Sequence, residues 1–218
     1  MESVQDYSAH LCKQEVVRDE LLDEQSVLLK CRQKPLSIYM RWLSGEKGRE
    51  VIYVEGKNHG KMIAHDGGWK ARIPEFKMSP DCKLAMLDAR YPATAAGLVF
   101  LIDRMLQIHE QDLLSSNFDS CVINEQEFDG RACLQFTTKY TSRDTSPTYR
   151  KSITLIDREW NVPLQTQHFE WPSRESQSDE DELDRATLIE SYSFHDLELH
   201  EKFSESTFDP SNADYNFH

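Results

Sequence analysis

The chain has 218 residues, enough for one sizeable hydrophobic core, and a formal net charge of −13. With no cluster of Lys and Arg longer than a pair, it lacks the basic footprint that neutralises nucleic-acid phosphates, and an anionic membrane surface would repel it. No run of 18 apolar residues occurs, so no transmembrane segment is expected.

The amino terminus shows no basic stretch followed by an apolar one, so it reads as carrying no secretory leader. A cytosolic protein and a mature exported domain both fit that reading. The cysteines at 12, 31, 82, 121 and 133 show no C-x-x-C spacing, which speaks against zinc and thioredoxin-type redox sites. Cys12 and Cys31 flank a hairpin centred near Leu21 and Leu22. They could face each other as a disulfide, or lie as two half-buried thiols, which is the ordinary case.

In chain order, strands are expected at residues 7–16 and 25–32, with a polar turn at 18–23. Pro35 opens the third strand, where its missing N–H is tolerated. Residues 35–69 then alternate apolar and polar side chains between glycine turns, the mark of an antiparallel meander. Ile38, Met40 and Trp42 alternate with Ser37, Tyr39 and Arg41. Residues 73–92 carry three prolines and no period, and read as a connecting loop.

One strong helix is expected at 94–114, with Thr94 as its N-cap. Leu98, Leu101, Ile102, Met105 and Ile108 recur at helical steps, while Val99, Phe100 and Leu106 widen the apolar sector. Such a helix suits the inside of a curved sheet. A second meander follows over 119–199, interrupted at 173–184 by an acidic, serine-rich stretch that reads as a solvated loop. An aromatic-bearing tail occupies 201–218. The expectation is one domain over 1–218, mainly β, with nine or ten strands in a curled, unclosed antiparallel barrel. The helix would pack in its concave face.

No catalytic constellation can be assembled. His65 beside Asp66 provides no nucleophile, so it is either a site residue at a barrel mouth or a strand-end histidine bonded to a turn carbonyl. His195, Glu198 and His200 do not share one face of a strand, so no metal site is expected there. Arg41 and Glu50 lie in facing strands as a candidate ion pair, and Arg49 offers a fork of donors to a carbonyl or phosphate. Ile38, Met40, Trp42, Val51, Tyr53, Met62, Ala64, Trp69, Leu98, Leu101, Ile102 and Met105 form the expected interior, as packed core or as ligand cavity.

The segments PLSIYMRW, KGREVIYVEGKN and GKMIAHDGGW, with FDPSNADYNF at 208–217, resemble a bacterial family of unknown function, family 1571, found largely in planctomycetes. That family is similar to the LolA and LolB lipoprotein carriers, whose unclosed barrel carries a helical lid over an apolar cavity. The resemblance covers about residues 7–217. It implies a periplasmic or exported, non-enzymatic protein holding a lipid or lipoprotein acyl chain, without cofactor. The cavity would be lined by the interior set above, with Arg41, Arg49 and His65 at its mouth. The alternative is a protein-binding or sensory module that uses the same sheet, with an envelope protein as partner.

Overall fold

The computed structural model of the chain describes residues 4–115, 118–173, 179–200 and 202–217. The strands are β1 (Asp6–Val17), β2 (Glu20–Leu21), β3 (Gln25–Gln33), β4 (Leu36–Trp42), β5 (Glu50–Val54), β6 (Met62–His65) and β7 (Phe76–Met78), followed by helix α1 (Leu98–Ser115). Then come β8 (Phe118–Phe128), β9 (Arg131–Tyr140), β10 (Tyr149–Asp157), β11 (Pro163–Glu170), helix α2 (Glu180–Thr187) and β12 (Leu188–His200). The strands form a 12-stranded sheet in the order β7-β6-β5-β4-β3-β1-β12-β11-β10-β9-β8, with β2 beside β1. Antiparallel register runs from β1 through β7 and from β12 back through β8. Among the described residues β7 and β8 have a strand on one side only, so the sheet is unclosed.

The chain divides into two compact units. One comprises Met1–Lys13, Leu22–Gly97 and Phe194–His218; the other comprises Gln14–Leu21 and Leu98–Ser193.

In the first unit, directly opposed residues share a face, so the register sorts every side chain. One face carries the rows Tyr7–Cys31–Ile38–Tyr53, Ala9–Leu29–Met40–Val51–Ala64 and Leu11–Val27–Trp42. The other carries Asp6–Arg32–Ser37–Val54, Ser8–Lys30–Tyr39–Ile52–Ile63 and His10–Leu28–Arg41–Glu50–His65. The alternation in the sequence suggests that this second face is wet. It is instead covered. Phe203, Phe208, Tyr215 and Phe217 of the carboxyl-terminal segment pack on Tyr39, Ile52, Val54 and Ile63. The ring of Tyr215 stacks on Tyr39 with centroids 4.0 Å apart. Burial on both faces explains why β5 reads EVIYV, a nearly continuous apolar run.

In the second unit, α1 lies against β11. Its Ile108 packs on a cluster of Tyr140, Tyr149 and Ile189, with Val16 and Trp171 alongside. Arg104 donates to the Tyr149 hydroxyl at 2.9 Å, and that hydroxyl donates to Glu190 Oε1 at 3.3 Å.

Several expectations need correction. Thr94 does not cap the helix: residues 93–95 form a separate 3₁₀ turn, and α1 begins at Leu98. The apolar sector of α1 is narrower than expected, because Leu106 is exposed. The proline-bearing loop holds β7, a three-residue edge strand. The acidic stretch holds α2, capped by Asp179, whose carboxylate accepts from the amide of Glu182. Low apolar content conceals this helix, because charge rather than burial docks it. The strand count exceeds nine or ten because β2 and β7 are too short to show a period.

Candidate functional site

The apolar face of the first unit sits beneath a strap. Residues 79–97 contain one 3₁₀ turn and no strand or α-helix. The turn Ala93–Ala95 lies against β4 and β5. Gly97 approaches so closely that a Cβ there would stand 2.7 Å from the Tyr7 hydroxyl and 3.3 Å from Cys31 Sγ. Arg49 Nη1 bonds Asp88 Oδ2 of the strap at 2.6 Å, and its guanidinium lies 5.1 Å from the Trp42 ring centre. The face under this cover carries Met40, and Met62 opposes Met78 on the neighbouring edge strand. Methionine is unbranched and polarizable, so such a lining can repack around an apolar guest. Burial pushes the Cys31 thiol up to about 12, so it behaves there as a small neutral hydrophobe.

A polar cleft lies at the other end of β6. It encloses about 390 Å³ and is lined by Gly48, His65, Gly67, Gly68, Ala71 and Asn216. His65 is 2% exposed. Its Nε2 lies 3.1 Å from the Ala71 carbonyl oxygen, which can only accept, so this nitrogen carries the proton. Its Nδ1 has no hydrogen-bond partner among the described residues. The turn-carbonyl reading of His65 therefore describes its contact, and Asp66 is not its partner. Next to it in register stands Glu50, fully buried, accepting from Asn216 N at 3.1 Å and from Asn216 Nδ2 at 2.5 Å. Arg41 Nε lies 3.6 Å from Glu50 Oε1, so the expected pair exists. Gly67 cannot be replaced without movement, since a Cβ would fall 2.3 Å from the Lys47 carbonyl oxygen.

The candidate residues separate into distinct environments. Ile38, Met40, Trp42, Val51 and Met62 are buried, with Tyr53 half-buried, all in the first unit. Leu98, Leu101 and Ile102 are buried and Met105 half-buried on α1 in the second unit. Trp69 is a correction: it is 84% exposed, on a 3₁₀ turn at Gly68–Arg72 rather than on a strand, so no sheet face receives it. Arg41 and Arg49 are each engaged by a carboxylate, Glu50 and Asp88 respectively. Cys12 opposes Ser26 while Cys31 opposes Tyr7, which puts the two sulfurs on opposite faces, and both are free thiols. His200 bonds Ser8 Oγ at 2.8 Å, and no group of three potential metal ligands gathers among the described residues.

Asp88 and Asn216 were not singled out from the sequence as site residues, and the tail aromatics were read only as a tail and as part of a motif. Asp88 has no periodic context. The tail does have a signal, its alternating aromatics in FDPSNADYNF, but nothing local says which surface they meet.

An unclosed, mainly antiparallel sheet with two α-helices defines the class of protein. The chain belongs to the family described as "Protein of unknown function (DUF1571)", whose profile matches residues 4–217. No protein of curated function matches it. Among solved structures it is similar to a DUF1329 family protein from Desulfovibrio piger, at 11% identity, covering 95% of this chain and 91% of that one, with a TM-score of 0.44. It is similar to a chain of the MucA/MucB complex of Pseudomonas aeruginosa, at 12% identity, covering 94% of this chain and 55% of that one, with a TM-score of 0.48. A LolA superfamily protein from Nitrosomonas europaea matches at 8% identity, covering 94% and 90%, with a TM-score of 0.39. No helix among the described residues is long and apolar enough to cross a membrane.

Proposed function

We propose that this protein is a non-enzymatic, envelope-side binding protein that holds a lipid or lipoprotein acyl chain. The guest lies against Ile38, Met40, Trp42, Val51, Tyr53 and Met62, and the strap 79–97 opens to admit it. Leu98, Leu101, Ile102 and Met105 of α1 are an apolar row of the second unit, a separate surface for such a chain. One observation carries this reading: a long segment of almost no regular structure covers a methionine-bearing face and is tied down by Arg49 and Asp88. Long irregular segments in compact domains are commonly lids. Each methylene taken up contributes about 0.8 kcal/mol, so a chain of several carbons offsets the loss of the strap's contacts. The cleft at His65 presents glycines, alanine, one imidazole and one carboxamide, a set suited to holding a polar group rather than to nucleophilic attack.

Native mass spectrometry before and after organic extraction tests the proposal. Lipid adducts should be present, and Met40→Trp should abolish those held by the first unit and Leu101→Trp any held by the second. An unliganded mass that stays unchanged on adding lipid would count against the proposal.

A second reading has its own observation. Val122 and Ile123 are exposed on β8, which has a single strand neighbour among the described residues, so an extended partner segment could add to that edge. Lipid-free protein that binds an envelope protein, with binding lost in Ile123→Lys, would favour this reading.

A further inference from the structure

In the second unit, three cations converge on two carboxylates. Lys151 Nζ lies 3.0 Å from Glu180 Oε1 and 2.6 Å from Asp184 Oδ2. Lys139 Nζ lies 3.1 Å from Glu180 Oε1. Arg150 Nη1 lies 3.4 Å from the same oxygen, and its Nη2 bonds Asp184 Oδ1. Arg150 Nε and Nη2 also donate to Thr187 Oγ1, at 3.2 and 3.1 Å. The ring of Phe169 underlies both buried cations, 5.6 Å from the Arg150 guanidinium and 5.5 Å from Lys151 Nζ. The side chains of Arg150 and Lys151 are only 8% and 7% exposed, burial that cations tolerate only when partnered.

What partners them is a weakly held element. Helix α2 spans eight residues, too few to persist alone. Its apolar residues are Leu183, half-buried, and Ala186, exposed. Charge, with the Thr187 bond, therefore holds it in place. The two carboxylates together bring two negative charges, close to the charge of a phosphate group near neutral pH.

We propose that Lys139, Arg150 and Lys151 form a receptor for a phosphate-bearing ligand, which Glu180 and Asp184 occupy as a built-in surrogate. A guanidinium fork with two ammonium groups above an aromatic floor matches the acceptor oxygens of a phosphate. Binding of the ligand and release of α2 are then one exchange, because phosphate and the α2 carboxylates compete for the same cations.

Hydrogen exchange of residues 180–187 followed through separate titrations with inorganic phosphate and with chloride tests the proposal. Phosphate should raise exchange there at a concentration at least tenfold below that of chloride. The double variant E180Q/D184N should bind inorganic phosphate at least tenfold more tightly by calorimetry, and adding K139Q should reverse much of that gain. Cosedimentation with vesicles containing phosphatidylglycerol, against phosphatidylcholine alone, separates the sources. Vesicle binding that K139Q weakens assigns the receptor to a lipid-borne phosphate; phosphate binding without vesicle binding assigns it to a soluble one. Equal effects of phosphate and chloride, or a double variant that is folded by circular dichroism and takes up no phosphate, would overturn the proposal.

Discussion

Both the main-chain and the side-chain amide of Asn216 donate to the wholly buried carboxylate of Glu50, so the tail is tied to β5 at a charge that water does not reach. The other charged neighbour, Arg41, is itself partly exposed and stands 3.6 Å off. Asn216 therefore supplies two direct neutral donors to this carboxylate, one on the side chain and one on the backbone, beside the bond that the carboxylate shares with the Tyr39 hydroxyl. Replacing Asn216 with Ala removes the side-chain donor and leaves the charge under-satisfied. Urea unfolding should show a loss of about 1–3 kcal/mol. A loss within error of zero would mean that Glu50 finds another partner.

Tyr215 joins two effects that substitutions can separate. Its ring stacks on Tyr39, and its hydroxyl donates to the Thr207 carbonyl at 2.8 Å. Burial, followed by the nearby charge of Glu50, pushes its hydroxyl up to about 12, so it donates as a neutral phenol at any physiological pH. Tyr215→Phe keeps the ring and should cost about 0.5–1.5 kcal/mol. Tyr215→Ala empties the space over β4 and should cost about 3–5 kcal/mol. Equal costs would show that the aromatic cover contributes little.

The thiols should react in an order set by exposure and ionisation. Cys121 lies exposed on an edge strand, whereas Cys31 is sealed beneath Gly97 with its thiol pushed up to about 12 by burial. A thiolate is the reacting species, so an aromatic disulfide reagent at neutral pH should modify Cys121 at least a hundredfold faster than Cys31. No Cys12–Cys31 crosslink should form in the native protein under air oxidation, because the two side chains leave opposite faces. Peptide mapping checks both statements.

The docking of α2 should depend on pH in one direction. Bonding to Lys151, against a smaller opposing effect of burial, holds the Glu180 carboxyl at about 2 instead of its ordinary 4.5. A depressed folded value means that the contribution is complete above about 4.5 and is lost as pH falls through about 2. A carboxyl-detected NMR titration should place the Glu180 midpoint near the lower figure, rising toward 4.5 when Lys151 is replaced by Gln. Because Glu180 is partly exposed, added salt should weaken the docking as well. A midpoint of 4.5 in the native protein would contradict this geometry.

The strands were legible because period-two alternation and glycine turns are local signals: β1, β3, β4, β5 and β8–β12 all fall close to where the pattern puts them. The residues that build the sites were less so. Lys139, Arg150 and Lys151 look like ordinary strand residues until α2 comes back on them, and α2 itself looks like solvated loop because eight mostly charged residues have no apolar stripe. Asp88 is one acid in an aperiodic strap. Each gains its role from a residue far away in the chain, which no local pattern encodes.

Composition and periodicity were enough to establish a mainly antiparallel sheet with one apolar helix, and to set aside nucleic acid and a membrane-spanning helix. These depend on charge totals and on side-chain spacing along single segments, quantities that do not change on folding. Which face of the meander is wet was not among them. Alternation divides Tyr39, Ile52 and Glu50 from Met40 and Val51, but it does not say what arrives to cover each set. Long-range packing settled that: the tail aromatics and Asn216 came to one face and the strap with Gly97 to the other. Burial is a property of the partner as much as of the residue, and here the partners lie from about 40 to about 170 positions away.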